Sequence, residues 1–228
     1  SCNDDQCIVP YPCTDFTALA SGGAHGLVLV SDGTLVAWGD NDRNQCNVPP
    51  PNAEILAIAG GYGHSLGLRS DSTIVAWASN DYGQCDVPPQ NSDFVAAATG
   101  DRHGMGLKSD GTIVAWGWNS YGQCDVPAPN ADFVAVAAGE DHSLGVRADG
   151  TIAAWGSNSH AQCGIPAPNA DFVAVAGGRF HSLGLKSDCS IVAWGASDSG
   201  QCDVPDPNSG FVAVSAGHWH SLGLKSDG

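Results

Sequence analysis

The chain repeats itself every 39 residues, and this repeat constrains the fold more than any other feature of the sequence. A fixed period of this size is typical of solenoids, propellers and arrays, in which each repeat is one supersecondary unit. The repeat predicts a single domain that spans residues 1–228. The recurring residues are His25, His64, His103, His142, His181 and His220, with Trp38, Trp77, Trp116, Trp155 and Trp194, and Cys7, Cys46, Cys85, Cys124, Cys163 and Cys202.

Each repeat contains short β-type runs separated by turn signals, and no helical periodicity. In the fourth repeat the runs are 132–139, 142–147, 151–156 and 162–166. The second and third runs flank "ADG", a hairpin signal because Gly accepts a positive φ. Proline closes the fourth run, where no ladder donor is needed. Four short strands per repeat predict the blade of an all-β propeller.

The six histidines predict six blades of 39-residue repeats. The N-terminal run "QCIVP" at 6–10 aligns with the fourth run of the later repeats. We therefore expect this strand to close the last blade, which begins at 211. If the sequence is a fragment of a longer chain, a seventh blade completes the ring instead.

The composition of the chain excludes some classes of binding partner. The chain has 24 acidic and 8 basic residues, a net charge of −16. An acidic surface repels phosphate, so we expect no nucleic-acid or anionic-membrane partner. No run of 18 apolar residues is present, so we expect no membrane span. Nine cysteines, three of them outside the repeat (Cys2, Cys13 and Cys189), favour a secreted or extracytoplasmic protein.

The segment "AAGEDHSLGVRADGTIAAWGSNSHAQCGIP" at 137–166 resembles the repeat of the regulator-of-chromosome-condensation superfamily. The short period is more similar to bacterial members, among them the secreted β-lactamase-inhibitory propellers. The resemblance implies a propeller that binds through loops on one face. The acidity and short loops depart from the chromatin-binding member. No target is implied, because propellers carry many functions.

The sequence holds no motif for catalysis. No HExxH, GxSxG or glycine-rich phosphate loop is present, so we predict no enzyme and no cofactor. A histidine that recurs once per repeat is interpreted as a hydrogen-bonding group within each blade rather than a metal ligand, and we predict no metal site. The repeated cysteines are interpreted as small buried hydrophobes. The alternative is a ring of thiols near the propeller axis.

The two residues before each repeated histidine vary, although their surroundings do not. They lie in the loop between the first and second strands, which opens on the same face as the variable loop after the third strand. Aromatic and Arg side chains anchor protein interfaces, and they are concentrated in these loops. The candidate partner-binding residues are Tyr62, Tyr82, Arg102, Trp118, Tyr121, Arg179, Phe180, His218 and Trp219.

We therefore predict a non-catalytic binding module that docks a protein partner through one variable loop face. One form of this function is a secreted enzyme inhibitor of the β-lactamase-inhibitor type. The alternative from another class is a lectin, in which Trp and Tyr stack on a glycan beside Asp and Asn side chains.

Overall fold

The structure is a computed structural model that describes residues 15–228, and these residues contain strands but no helix. No segment of this range is therefore a helix that could cross a membrane. The predicted closing strand at 6–10, with Cys2 and Cys13, lies outside the described residues. The strands are β1 (Phe16–Ser21), β2 (His25–Val30), β3 (Leu35–Gly39), β4 (Ile55–Gly60), β5 (His64–Arg69), β6 (Ile74–Ala78), β7 (Phe94–Thr99), β8 (His103–Lys108), β9 (Ile113–Gly117), β10 (Phe133–Ala138), β11 (His142–Arg147), β12 (Ile152–Gly156), β13 (Phe172–Gly177), β14 (His181–Lys186), β15 (Ile191–Gly195), β16 (Phe211–Ala216) and β17 (Ser221–Lys225).

Each repeat forms one small sheet whose strands lie in sequence order. The first five sheets have three strands each, and the sixth consists of β16 and β17. Neighbouring strands pair antiparallel, and a bulge interrupts the first strand of each sheet, as between Phe133 and Ala135. The first three predicted strands of the repeat are thus confirmed, within one residue at each end.

The predicted fourth strand is wrong. In the fourth repeat this run turns, because its backbone N–H groups bond locally. Cys163 N donates to Asn158 Oδ1 at 2.9 Å, Gly164 N to the Ala161 carbonyl at 2.9 Å and Ile165 N to the Cys163 carbonyl at 3.1 Å. A strand would need these donors for a ladder to its neighbour.

The turn between the second and third strands follows the sequence signal. Gly150 has a φ of 79°. Thr151 N donates to Asp149 Oδ1 at 2.9 Å, and Arg147 N donates to the Thr151 carbonyl at 2.8 Å. Glycine adopts this φ without strain, although Ser72 and Cys189 hold the same position of other repeats at φ values of 64° and 66°. The Asp carboxylate completes the turn.

The described chain forms two compact units, so the single domain over 1–228 stays a prediction. The first unit runs to Ser109 and includes Trp116–Trp118; the second comprises Asp110–Ala115 and Asn119–Gly228. Each unit packs aliphatic strand residues and an indole into its core. The clusters are Leu27, Leu29, Leu35, Ile55 and Trp77 in the first unit, and Leu144, Val146, Ile152, Phe172 and Trp194 in the second.

The repeated histidine joins successive sheets, so its predicted role within one blade is wrong. In the second unit His142 Nε2 lies 2.9 Å from Ser182 Oγ, which is in the next sheet. Ser182 Oγ and Trp194 Nε1 both donate to the Gln162 carbonyl, at 2.9 and 2.8 Å. Because the serine proton goes to Gln162, His142 must donate from Nε2. The repeated His, Ser, Gln and Trp therefore form one junction.

Beside the sixth sheet, the described residues form a cleft, lined in part by Trp219. Leu222 and Leu224 of β17 are 60% and 54% exposed, whereas their counterparts Leu183 and Leu185 are buried. This cleft has a volume of about 260 Å³, and Leu222 lies in its wall. Its lining includes Leu183, Ile191 and Phe211, the counterparts of the residues that pack around Trp194 one repeat earlier.

Candidate protein-binding loops

Two variable loops of each repeat meet at one end of its sheet, as the sequence predicted. The pair-bearing loop lies between the first and second strands, and the outer loop follows the third strand. Ser157 N donates to the Asp141 carbonyl at 2.9 Å, and Trp118 N donates to the Arg102 carbonyl at 2.9 Å. These bonds hold the outer loop beside the variable pair of the same sheet.

The outer loop also contacts the pair-bearing loop of the next sheet. Tyr82 follows β6 and lies against Arg102, which precedes β8; His160 follows β12 and stacks on Phe180, which precedes β14. At Gly63 a Cβ atom would lie 2.8 Å from Arg43 Cδ. The two variable residues of a repeat thus contact outer-loop side chains of the preceding sheet, and those side chains differ between repeats too.

The Arg102 cluster, consisting of Tyr82, Arg102 and Trp118, is the aromatic site of the first unit. The Arg102 guanidinium carbon lies 5.0 Å from the Tyr82 ring centroid and 5.2 Å from that of Trp118. The two rings are 6.0 Å apart and inclined at 54°. Cation–π contacts on both rings hold an exposed guanidinium in place. A side chain ordered in this way loses little entropy when it binds a partner.

A small cleft of about 150 Å³ adjoins the Arg102 cluster. It is bounded by Tyr62, which is 51% exposed, and by Arg43. Arg43 Nη1 lies 3.4 Å from Ser79 Oγ and 3.9 Å from Asp81 Oδ2. The pair is solvent-exposed, so it orients the arginine rather than adding much stability.

The Phe180 cluster, consisting of His160, Arg179, Phe180 and Trp219, is the aromatic site of the second unit. The rings of His160 and Phe180 stack with centroids 4.4 Å apart, and the Trp219 ring meets Phe180 edge-on at 5.7 Å. The Arg179 guanidinium lies 4.8 Å from the Phe180 centroid and 5.0 Å from that of Trp219, and forms an ion pair with Glu140. This is again an arginine held against two rings.

Beside the Phe180 cluster lies a cleft of about 500 Å³, called here the Tyr121 cleft. Tyr121, 55% exposed, lines it together with His160 and Phe180. The carboxylates of Glu140 and Asp141 line it as well. Volume and lining are in the range of small-ligand and side-chain pockets.

The structure brings most of the predicted residues into these sites. Tyr82, Arg102 and Trp118 form one cluster; Arg179, Phe180 and Trp219 belong to the other; Tyr62 and Tyr121 line the clefts, and His218 is an exposed neighbour of Trp219. The prediction missed three residues: His160, Glu140 and Asp141. The signal for His160 is its register, since positions 82 and 121 of the same 39-residue column are tyrosines.

The repeated cysteines are half-buried hydrogen-bond donors rather than purely apolar groups. Cys85 Sγ lies 3.2 Å from the Ser79 carbonyl, and Cys163 Sγ lies 3.2 Å from the Ser157 carbonyl. Burial raises the pKa of the Cys85, Cys124 and Cys163 thiols to about 11. A thiol with a raised pKa is a poor nucleophile and a poor metal ligand.

Comparison with known proteins agrees with this architecture. The family model described as the regulator of chromosome condensation (RCC1) repeat matches residues 16–45, 55–84, 94–123 and 133–162, more than half of the chain. No curated protein matches the sequence.

Solved structures with this fold include yeast and plant proteins. Prp20p from Saccharomyces cerevisiae, described with its binding to Gsp1p and histones, superposes with a TM-score of 0.82 at 20% identity, over 96% of this chain and 72% of its own. Yeast RCC1 (Prp20) bound to Kap60 gives 0.79 at 21%, over 96% and 70%. The ectodomain of the Arabidopsis thaliana receptor kinase ACR4 gives 0.73 at 25%, over 92% and 75%.

Proposed function

The chain belongs to the RCC1 repeat family, and from this premise we propose that it is a non-catalytic module that docks a protein partner through its variable loops. The observation that carries the proposal is the Arg102 cluster. An exposed arginine held against Tyr82 and Trp118 combines the residue types that supply most of the free energy of protein binding.

Repetition of this arrangement supports the proposal. Arg179 lies over Phe180 and Trp219 much as Arg102 lies over its two rings. Ordinary loop drift explains variation but not a second arginine on a second aromatic pair. Trp219 is 45% exposed and Tyr82 is 46% exposed, so both clusters present aromatic surface to solvent.

The relatives support protein binding as a class of function. The solved yeast structures are described with Gsp1p, histones and Kap60 as binding partners. Those partners belong to the yeast protein. For this chain we propose a protein partner, with secreted enzyme inhibition as one form of the same function.

A lectin is the second candidate, and the Tyr121 cleft is the observation that favours it. The stacked rings of His160 and Phe180 lie beside Asn158 and Asp141, an arrangement that can stack on a sugar and bond its hydroxyl groups. We rank it second because a sugar bound in the Tyr121 cleft leaves the Arg102 cluster unexplained.

Protein capture tests the proposal. The wild-type chain and a folded Trp118→Ala/Phe180→Ala/Trp219→Ala variant are used as bait in extract and culture fluid of the source. A Val134→Ala/Val173→Ala variant is the control, because it removes exposed apolar side chains on β10 and β13. We expect a protein retained by wild type and control and lost by the triple variant. Equal retention by all three contradicts docking through the loops, and a glycan-array signal lost only in the triple variant favours the lectin.

A further inference from the structure

The Tyr121 cleft is a cavity of about 500 Å³ that the loop clusters do not fill. Its walls are aromatic, and its remaining lining is polar or acidic. Phe180 is held in place by the stacked His160 ring, at a centroid distance of 4.4 Å and an angle of 17°. Tyr121, more than half exposed, lines the cleft as well. Aromatic faces attract cations, and the attraction is stronger where water is partly excluded.

The charge of the cleft has one sign. Glu140 and Asp141 contribute two carboxylates to the lining, and none of the lysines and arginines of residues 15–228 lines the cleft. Arg179 pairs with Glu140 and lies over Phe180 and Trp219, so it offsets one of the two negative charges. The net charge of the whole chain is −16. A field of this sign draws cationic groups toward a partly enclosed site and repels anions.

We propose that the Tyr121 cleft binds a basic side chain, arginine or lysine, on the surface of the protein partner. This inference rests on the proposed docking function and adds the chemistry of the partner. The cation lies against the exposed ring of Tyr121 while its N–H groups reach the carboxylate of Asp141, because His160 and Arg179 already cover the two faces of Phe180. Arginine satisfies both contacts at once, because its planar guanidinium stacks on rings and donates in a fork to carboxylates.

Matched peptides test the charge requirement. The probes are a fluorescein-labelled peptide of four arginines spaced by glycine and the same peptide with citrulline, which keeps the shape and removes the charge. Fluorescence polarisation is measured with the full chain at low and high salt. We expect the arginine peptide to bind at least about tenfold more tightly, and the difference to shrink in high salt.

Three variants locate the binding. Asp141→Asn removes one charge in the cleft, and Tyr121→Leu removes its exposed ring. Asp132→Asn removes the same charge from an exposed position before β10 and controls for the overall field. We expect losses of about fivefold or more for the first two variants and less than about twofold for the control. Unfolding in urea confirms that all three are folded.

The results separate this inference from the function on which it rests. Equal affinity for the arginine and citrulline peptides overturns it, as does an equal loss in Asp132→Asn and Asp141→Asn. A glycan that binds wild type and Asp141→Asn but not Tyr121→Leu also overturns it and assigns the cleft to sugar. The docking function fails separately, when the triple variant captures the same proteins as wild type.

Discussion

His142 Nε2 lies 2.9 Å from Ser182 Oγ, and this buried hydrogen bond links two successive sheets of the second unit. The same link joins His25 to Ser65 at 2.8 Å in the first unit. Since the serine hydroxyl donates to Gln162, His142 carries a proton on Nε2, and its buried Nδ1 has no hydrogen-bond partner. The stability of each such junction therefore depends on the protonation of its histidine.

Removing the serine hydroxyl should weaken the junction. We expect Ser182→Ala to lower the free energy of unfolding by roughly 1–3 kcal/mol, because His142 Nε2 becomes a buried donor without an acceptor. Ser209→Ala, at an exposed serine of the same unit, is the control. Urea unfolding measures both; a loss in Ser182→Ala no larger than in the control contradicts the assigned role.

The neutral histidines should make the protein sensitive to mild acid. Burial lowers the pKa of His64 and His142 from 6.5 to about 4. Between these pH values the unfolded chain binds protons that the folded chain does not, so the free energy of unfolding falls as the pH drops from 6.5 towards 4. The loss is on the order of 3 kcal/mol for each such histidine.

Urea unfolding between pH 4.5 and 7.5 measures this effect. Asp149 contributes below that window, since bonds from Thr151 lower the pKa of its carboxyl. His142→Gln, which cannot gain a proton, should flatten the dependence on pH. A free energy of unfolding that does not change over this range in the wild-type chain contradicts the account.

Gly139 must be a glycine because other groups of the protein lie too close to its Cα for a side chain. A Cβ atom at Gly139 would overlap the His142 ring and the Gly178 carbonyl. We expect Gly139→Ala to cost about 3 kcal/mol or more, because neither the ring nor the backbone has room to move. Gly164→Asp is the matched control, since positions 86 and 125 of the same column are Asp. If thermal unfolding gives the two variants the same stability, close approach at Gly139 is not the reason for its glycine.

Sequence reasoning recovered the strands because their signals are local. Alternation in "HSLGVR" and the glycine turn at Gly150 act within a few residues, so β11 and β12 could be placed closely. The fourth strand failed because Asn158 captures the N–H of Cys163, a side-chain bond that strand periodicity does not show. The aromatic residues of the candidate site were predicted from their residue type and their position in the variable loops.

Their grouping was not predictable in the same way. His160 meets Phe180 across a junction of two sheets, and no short-range pattern connects residues that belong to different repeats. Only the 39-residue register places position 160 in the column of Tyr82 and Tyr121. This register could have predicted His160 as a site residue, but it could not have predicted that His160 stacks on Phe180.

The repeated thiols should react slowly in the folded protein. Burial raises the pKa of Cys85 and Cys163 to about 11, so the thiolate fraction at pH 8 is about a thousandth. We expect iodoacetamide to label these two cysteines much more slowly in the native protein than in urea. Peptide mass spectrometry measures the rates. Native labelling as fast as in urea contradicts the buried, hydrogen-bonded thiol.

Site-specific photo-crosslinking tests the central claim, that the variable loops dock a protein, most directly. A photoreactive phenylalanine analogue is placed at Tyr62, Tyr121 or Trp219 in the loops, and at Ser109 or Ser187 in the turns between second and third strands. Each folded variant is illuminated in extract or culture fluid of the source. We predict one protein adduct that forms from the loop positions and not from the turn positions. Adducts that form only from the turns, or no adduct at the loops, would contradict docking through the variable loops.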